Sequence, residues 1–231
     1  MQPHLERKKT DDFIAASYAG LTWACGRPVL EHAWDMGDIA ARLLQRQLGK
    51  AWGNCPPPAI AGQIEEMRHA GLLHAAMDRC AANFEKICEL TNLEVAKMLS
   101  SYSADSRLPE PQRVLERVGR LADGKLMPQL LMLADVLCTT RYYADWLKKD
   151  PGPGLAEQTA RELEIHRTFL NPLTEVRECS MLIGWWQKAR DETDLLTKKC
   201  RDYVRAANLA KRIETKRLKD QGAASCPKQK I

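Results

Sequence analysis

Apolar side chains recur at spacings of three and four along almost the whole chain, and β-branched runs of the kind strands favour are scarce. The pattern predicts helices over residues 10–25, 29–48, 59–80, 84–90, 93–104, 111–122, 126–148 and 155–170. Breakers separate them: Gly26-Arg27-Pro28, the Gly49–Pro58 stretch with Gly53-Asn54 and three successive prolines, Leu108-Pro109-Glu110-Pro111, Asp123-Gly124, and Asp150-Pro151-Gly152-Pro153-Gly154. Asp11 and Asp12 suit the start of the first helix, and Asn83 and Asn92 are placed to cap two of the later ones. From about Pro172 the pattern changes. Leu182, Trp186, Ala189, Thr193, Leu196, Cys200, Tyr203 and Ala207 alternate spacings of four and three on a strongly charged helix, a heptad seam. Thr, Cys and two Ala make the seam weak, so packing along the chain's own body is favoured over a coiled coil. No internal repeat is evident.

These elements make an all-α protein, and 45% apolar residues over 231 positions suffice for a core. No apolar run reaches the roughly 18–20 residues needed to span a bilayer, and Met1–Lys9 is followed by no apolar stretch of the secretory kind. Eight cysteines occur, none in a CxxC pair, so the expectation is buried free thiols in a reducing, intracellular and most simply cytoplasmic setting. The net charge of +5 is uneven: from Lys188 onward thirteen Lys/Arg face six Asp/Glu, leaving the body nearly neutral. That basic end suits an acidic partner or nucleic acid, the latter not favoured over a solvated helix face. Phosphate-loop, dinucleotide and nucleophile-elbow motifs are absent. The Trp185-Trp186 pair reads as a core or interface anchor.

Ala70-Gly71-Leu72-Leu73-His74-Ala75-Ala76-Met77-Asp78-Arg79-Cys80 turns one imidazole into an otherwise apolar helical face. His32 upstream and Asp135, within Leu131-Met132-Leu133-Ala134-Asp135-Val136-Leu137, have the same setting. Two imidazoles and a carboxylate suit borderline divalent ions such as Mn²⁺, Fe²⁺ and Zn²⁺, provided three separate helices converge. His4, His69 and His166 lack that setting and are expected at the surface.

The segment from Ile14 to about Trp146 resembles the HD-domain hydrolases of the RelA/SpoT type, including their small stand-alone metazoan form. Pro28-Val29-Leu30-Glu31-His32 is similar to the family's "PYIxHP", the run through His74 to "AALLHDxxEDT", Ser103-Ala104-Asp105-Ser106-Arg107-Leu108-Pro109 to "TDDKxLP", and Leu133-Ala134-Asp135-Val136-Leu137 to "KLADRLxN". The resemblance implies an HD-domain helical bundle with His32, His74 and Asp135 as metal ligands. It also implies Mn²⁺-dependent removal of pyrophosphate from guanosine tetra- or pentaphosphate, or of phosphate from NADPH in the metazoan type. The substrate class is then a phosphorylated nucleotide, with Asp78 orienting the attacking water and Arg27, Arg79 and Thr139 contacting substrate.

The departures from the family bear on activity. Ala75 stands at the HD aspartate, Asp78-Arg79 at the "ED" pair, and Thr139 at the asparagine after the last ligand; the "QxRKxGxP" loop shortens to Thr22–Pro28 with Arg27 alone. Three explanations fit: a pseudoenzyme kept for binding, possessing or lacking the metal; a divergent hydrolase; or an Asp-to-Ala change at position 75 that traps intact substrate. The expected organisation is an HD-type domain over 8–150, a C-terminal helical extension over 151–221 and a disordered basic tail over 222–231. The alternative function is a non-catalytic binding or assembly subunit that docks a protein partner through the 172–215 helix.

Overall fold

The computed structural model describes residues 3–23, 26–49, 57–105 and 107–224, and these form eleven helices. In chain order they are α1 (Pro3–Ser17), α2 (Val29–Gly49), α3 (Pro58–Leu73), α4 (Ala76–Arg79), α5 (Phe84–Leu90), α6 (Leu93–Tyr102), α7 (Glu110–Ala122), α8 (Leu126–Leu147), α9 (Pro153–Leu170), α10 (Thr174–Glu178) and α11 (Ile183–Ala224). A single antiparallel bridge, Thr22 to Pro28, is the sole β-type pairing among the described residues. The fold is all-α.

α8 is the axis of the molecule. Every residue from Pro128 to Cys138 is buried, as a helix apolar on all sides requires. It packs against α2, α3, α6, α9, α10 and α11. Gln129, fully buried, is satisfied on both sides of its amide. Its Nε2 donates to the carbonyls of Leu121 (3.0 Å) and Gly124 (3.2 Å), and its Oε1 accepts from the Val176 amide (3.4 Å). It thereby ties the end of α7 and the start of α10 to the central helix at little desolvation cost.

The Asn83 and Asn92 caps form as predicted. Their side chains accept from the Lys86 amide at 2.9 Å and the Val95 amide at 3.0 Å. Five helix boundaries depart from expectation. The first helix begins at Pro3 rather than 10, which places Asp11 and Asp12 inside it and not at its start. The first helix ends at Ser17 rather than 25, because Gly20 (φ +74°) and the Thr22–Pro28 bridge turn the chain back toward α2. The helix expected over 59–80 breaks at His74-Ala75 into α3 and α4. The helix expected over 172–215 is α10 and α11, separated at 179–182. α11 continues to Ala224, past the 222 expected for the tail; residues 225–231 lie outside the described residues, as do Cys25, Cys55 and Cys226. Of the other cysteines, Cys138 and Cys200 are buried and Cys80, Cys88 and Cys179 half-buried, all as free thiols.

The heptad seam of α11 turns inward. Leu182, Trp186, Ala189, Thr193, Leu196 and Cys200 are buried, and α11 lies along α9 and α8. Trp186 Nε1 donates to the Leu170 carbonyl at 2.9 Å, so this indole is a core anchor. The main hydrophobic cluster runs from Ile14 to Ala189, so the residues after 150 contribute to the same core.

α2 and α3 cross at a pair of glycines. A Cβ on Gly71 would lie 2.6 Å from Gly37 Cα and 2.8 Å from Gly37 N. Only glycine permits that approach, and it sets the distance between the helices carrying His32 and His74. Gly71→Ala is therefore expected to lower stability by about 1–3 kcal/mol, as overpacking does. Gly62→Ala, where the added methyl meets nothing within 4 Å, should be neutral or slightly stabilising. Urea unfolding of both variants separates crowding at the crossing from a general helix effect.

Candidate metal centre

His32 lies in the first turns of α2, His74 at the break after α3, and Asp135 near the middle of α8. These distant positions converge. All three residues are buried, and one ligand atom from each lies within 4.8 Å of the others, close to the span of two metal–ligand bonds of about 2.1 Å. The imidazole centroids of His32 and His74 are 5.0 Å apart. His32 Nε2 is 3.4 Å from Asp135 Oδ1.

Each ligand atom is oriented from behind. The His74 Nδ1–H donates to the Gly71 carbonyl at 2.7 Å, which leaves Nε2 facing the centre. His32 Nδ1 lies 3.4 Å from the Cys138 thiol, whose pKa burial pushes up to about 12, so it stays protonated. The Nε2 atoms of both histidines are buried and without a hydrogen-bond partner, an arrangement that costs stability unless something occupies the space between them. Asp135 accepts from Tyr102 Oη at Oδ2, and from Thr139 Oγ1 at Oδ1, 3.2 Å away. Two imidazole nitrogens facing the centre beside a fixed carboxylate form a donor set that fits a divalent ion.

Electrostatics follow from burial. Desolvation, reinforced by His32, lowers the His74 pKa to about 4. Burial alone would raise Asp135, but the adjacent His32 ring and the imidazoles of His166 and His74 outweigh it and hold the carboxyl well below the usual range. Tyr102 is pushed up by burial and by Asp135, so it remains a donor. Both signs weaken the metal-free fold in acid. Unfolded, His74 takes up a proton near pH 6.5 that the native state refuses until about pH 4, so stability falls through that window, by on the order of 3 kcal/mol once complete. Asp135, depressed in the native state, adds a loss below the unfolded carboxylate value of about 4. Denaturant unfolding in chelator should thus weaken between pH 6.5 and 5, and His74→Gln should flatten that part of the curve. An unchanged profile in that variant would contradict the assignment.

The centre sits in a cavity of about 560 Å³ whose wall includes every residue expected at the site. Ala75, 4% exposed, forms part of the wall beside His74. Asp78 reaches the cavity but is bound to Arg117 Nη2 at 2.8 Å; burial raises its carboxyl and Arg117 opposes the shift. Arg27 stacks 3.3 Å above the Tyr142 ring and pairs with Asp35 at 2.6 Å. Arg79 lies 3.9 Å over the Trp23 ring. Thr139 holds Asp135 through its hydroxyl.

Several cavity residues escaped the sequence reading. His166, expected at the surface, lines the cavity from α9 with Nδ1 buried and unpaired. Burial lowers its pKa while Asp135 pulls the other way. Gln158, Glu162, Ile165, His166 and Phe169 share one face of α9, and that spacing was the available signal. Tyr102, Arg113 and Arg117 also line the cavity. His69 is half-buried in α3, and the His4 side chain lies outside what is described.

No protein-family model and no curated protein sequence matches the chain. A solved structure that it resembles is that of a metazoan orthologue of SpoT that hydrolyses ppGpp and plays a role in starvation responses. The two are 14% identical, with a TM-score of 0.58 over 86% of this chain and 97% of that one. The chain shares the all-α fold of that structure. At this identity the likeness speaks to the fold, and the centre stands on its own geometry. No helix among the described residues is long and apolar enough to cross a membrane.

Proposed function

We propose that this chain is a divalent-metal-dependent phosphohydrolase of the HD kind, acting on a phosphorylated nucleotide of the guanosine polyphosphate class, with activity reduced by Ala75. The observation that carries the reading is the meeting of two unpartnered buried Nε2 atoms with the Asp135 carboxylate, in a cavity rimmed by Arg27, Arg79, Arg113 and Arg117. His32, His74 and Asp135 would hold the ion, Mn²⁺ being the expected one. When bound, it would supply Lewis-acid stabilisation of phosphoryl charge and a more acidic water. The arginines supply planar donors for phosphate oxygens. Arg79 follows Ala75 by four residues, and Arg117 reaches the same stretch of chain through its bond to Asp78. Asp78 orients water once a phosphate draws Arg117 away.

A second reading, a binding or assembly subunit without turnover, is favoured by one observation: besides Asp135, the described carboxylates lining the cavity are Asp78, bound to Arg117, and Glu162, bound to Tyr143 and Gln158. A nucleotide-hydrolysis panel with Mn²⁺, run on the native chain and on Ala75→Asp, separates the two.

A further inference from the structure

A second cavity, of about 1140 Å³, opens between α2, α8 and α11 and shares no lining residue with the first. Its floor is apolar: Leu43, Leu137 and Leu196 are buried beneath it. Leu195, 54% exposed, and the half-buried indole of Trp185 form one side. The rim is cationic, with Arg42, Arg46, Arg141, Lys188 and Lys199 against Asp145 and Glu192. Among the described residues only Lys188 of these five has an acidic partner, Glu192 at 3.7 Å. Asp145 pairs instead with Lys148, at 2.8 Å. Arg46 and Lys188 lie 5.1 and 5.6 Å over the Trp185 ring. Arg42, Arg46 and Lys199 thus surround a hydrophobic depression without an ion-pair partner among the described residues, and Arg141 feels the Asp145 charge only from beyond ion-pair distance.

We propose that this cavity binds an amphiphilic anion, an acyl or alkyl chain carrying a carboxylate or phosphate head. A simple anion has no use for the leucine floor, and a neutral apolar ligand leaves the cations unanswered. A ligand with both parts answers both, the chain displacing water from the floor and the head forming charge-assisted bonds at the rim. The volume of about 1140 Å³ is slightly above the usual range of small-molecule sites, about 300–1,000 Å³, which suits an elongated chain. The head can come from a free molecule or from a membrane lipid, and the experiment separates these sources.

The test is calorimetric titration of the full chain with dodecyl phosphate and with dodecanoate below their micellar concentrations. Inorganic phosphate and dodecanol serve as half-ligands, and phosphatidylglycerol vesicles as the lipid source. Arg141→Glu/Lys199→Glu is the variant; both side chains are exposed, so the thermal midpoint should stay unchanged. One saturable site is expected for the amphiphiles, at least tenfold weaker for either half-ligand and at least tenfold weaker in the variant. Vesicle binding in addition, lost in the variant, would place the head on a lipid; its absence would make the ligand a free molecule. Equal binding of inorganic phosphate or of dodecanol, or full binding by the variant, would overturn the proposal.

Discussion

Asp135→Asn is expected to weaken Mn²⁺ binding at least 100-fold while leaving the chain folded. The carboxylate is buried, and its two oxygens receive Tyr102 and Thr139. An asparagine keeps the shape but removes the single negative charge that offsets a cation at this centre. Even groups that only orient a ligand cost about 10–100-fold in affinity when altered, so loss of a charged ligand should exceed that range. The native-like fold is checked by circular dichroism. The ion is followed by the electron paramagnetic resonance of free Mn²⁺, whose signal falls on binding. A variant that binds as the native chain does would remove Asp135 from the ligand set.

Ala75→Asp is expected to act in the opposite direction. The residue is 4% exposed, next to His74, on the wall of the cavity. A carboxylate there adds an oxygen ligand and negative charge beside a centre that has one carboxylate. Without metal it is a buried, poorly satisfied group and should lower stability by about 1–3 kcal/mol. With Mn²⁺ the loss should be recovered, because only the folded state holds the ion. Hydrolysis of at least one guanosine polyphosphate should rise about 100-fold, or about 3 kcal/mol in the barrier. Metal-dependent recovery of stability without turnover would support the centre and favour the binding-subunit reading. Neither effect would argue against both.

Much of this was legible in the chain. Helical periodicity, prolines and glycines fixed most element boundaries to within a few residues, and the Asn83 and Asn92 caps carry their own local chemistry. The buried stripe of α11 was written in its four-and-three spacing, and it packs along the chain's own body, on α9 and α8, as that spacing led us to expect. The convergence of His32, His74 and Asp135 was not readable from periodicity. It depends on Gly37 and Gly71 letting α2 and α3 touch, a property of two helices at once. The break at His74 was hidden because the residues around that histidine, Leu72, Leu73, Ala75, Ala76 and Met77, are all apolar or small, without a proline or a polar cap. His166 was missed for a related reason. Its neighbours Glu164 and Arg167 are polar, and its face becomes visible only when Glu162 and Phe169 are aligned with it. The pairing of Asp78 with Arg117, 39 residues apart, is tertiary and had no local sign.

The central claim is that His32, His74 and Asp135 hold one divalent ion. Equilibrium dialysis of the metal-stripped native chain against Mn²⁺, read by elemental analysis, tests it most directly. One ion retained per chain, and none after His32 and His74 are both replaced by alanine, is the predicted result. A native chain that retains no ion, or a double variant that retains one, would contradict it.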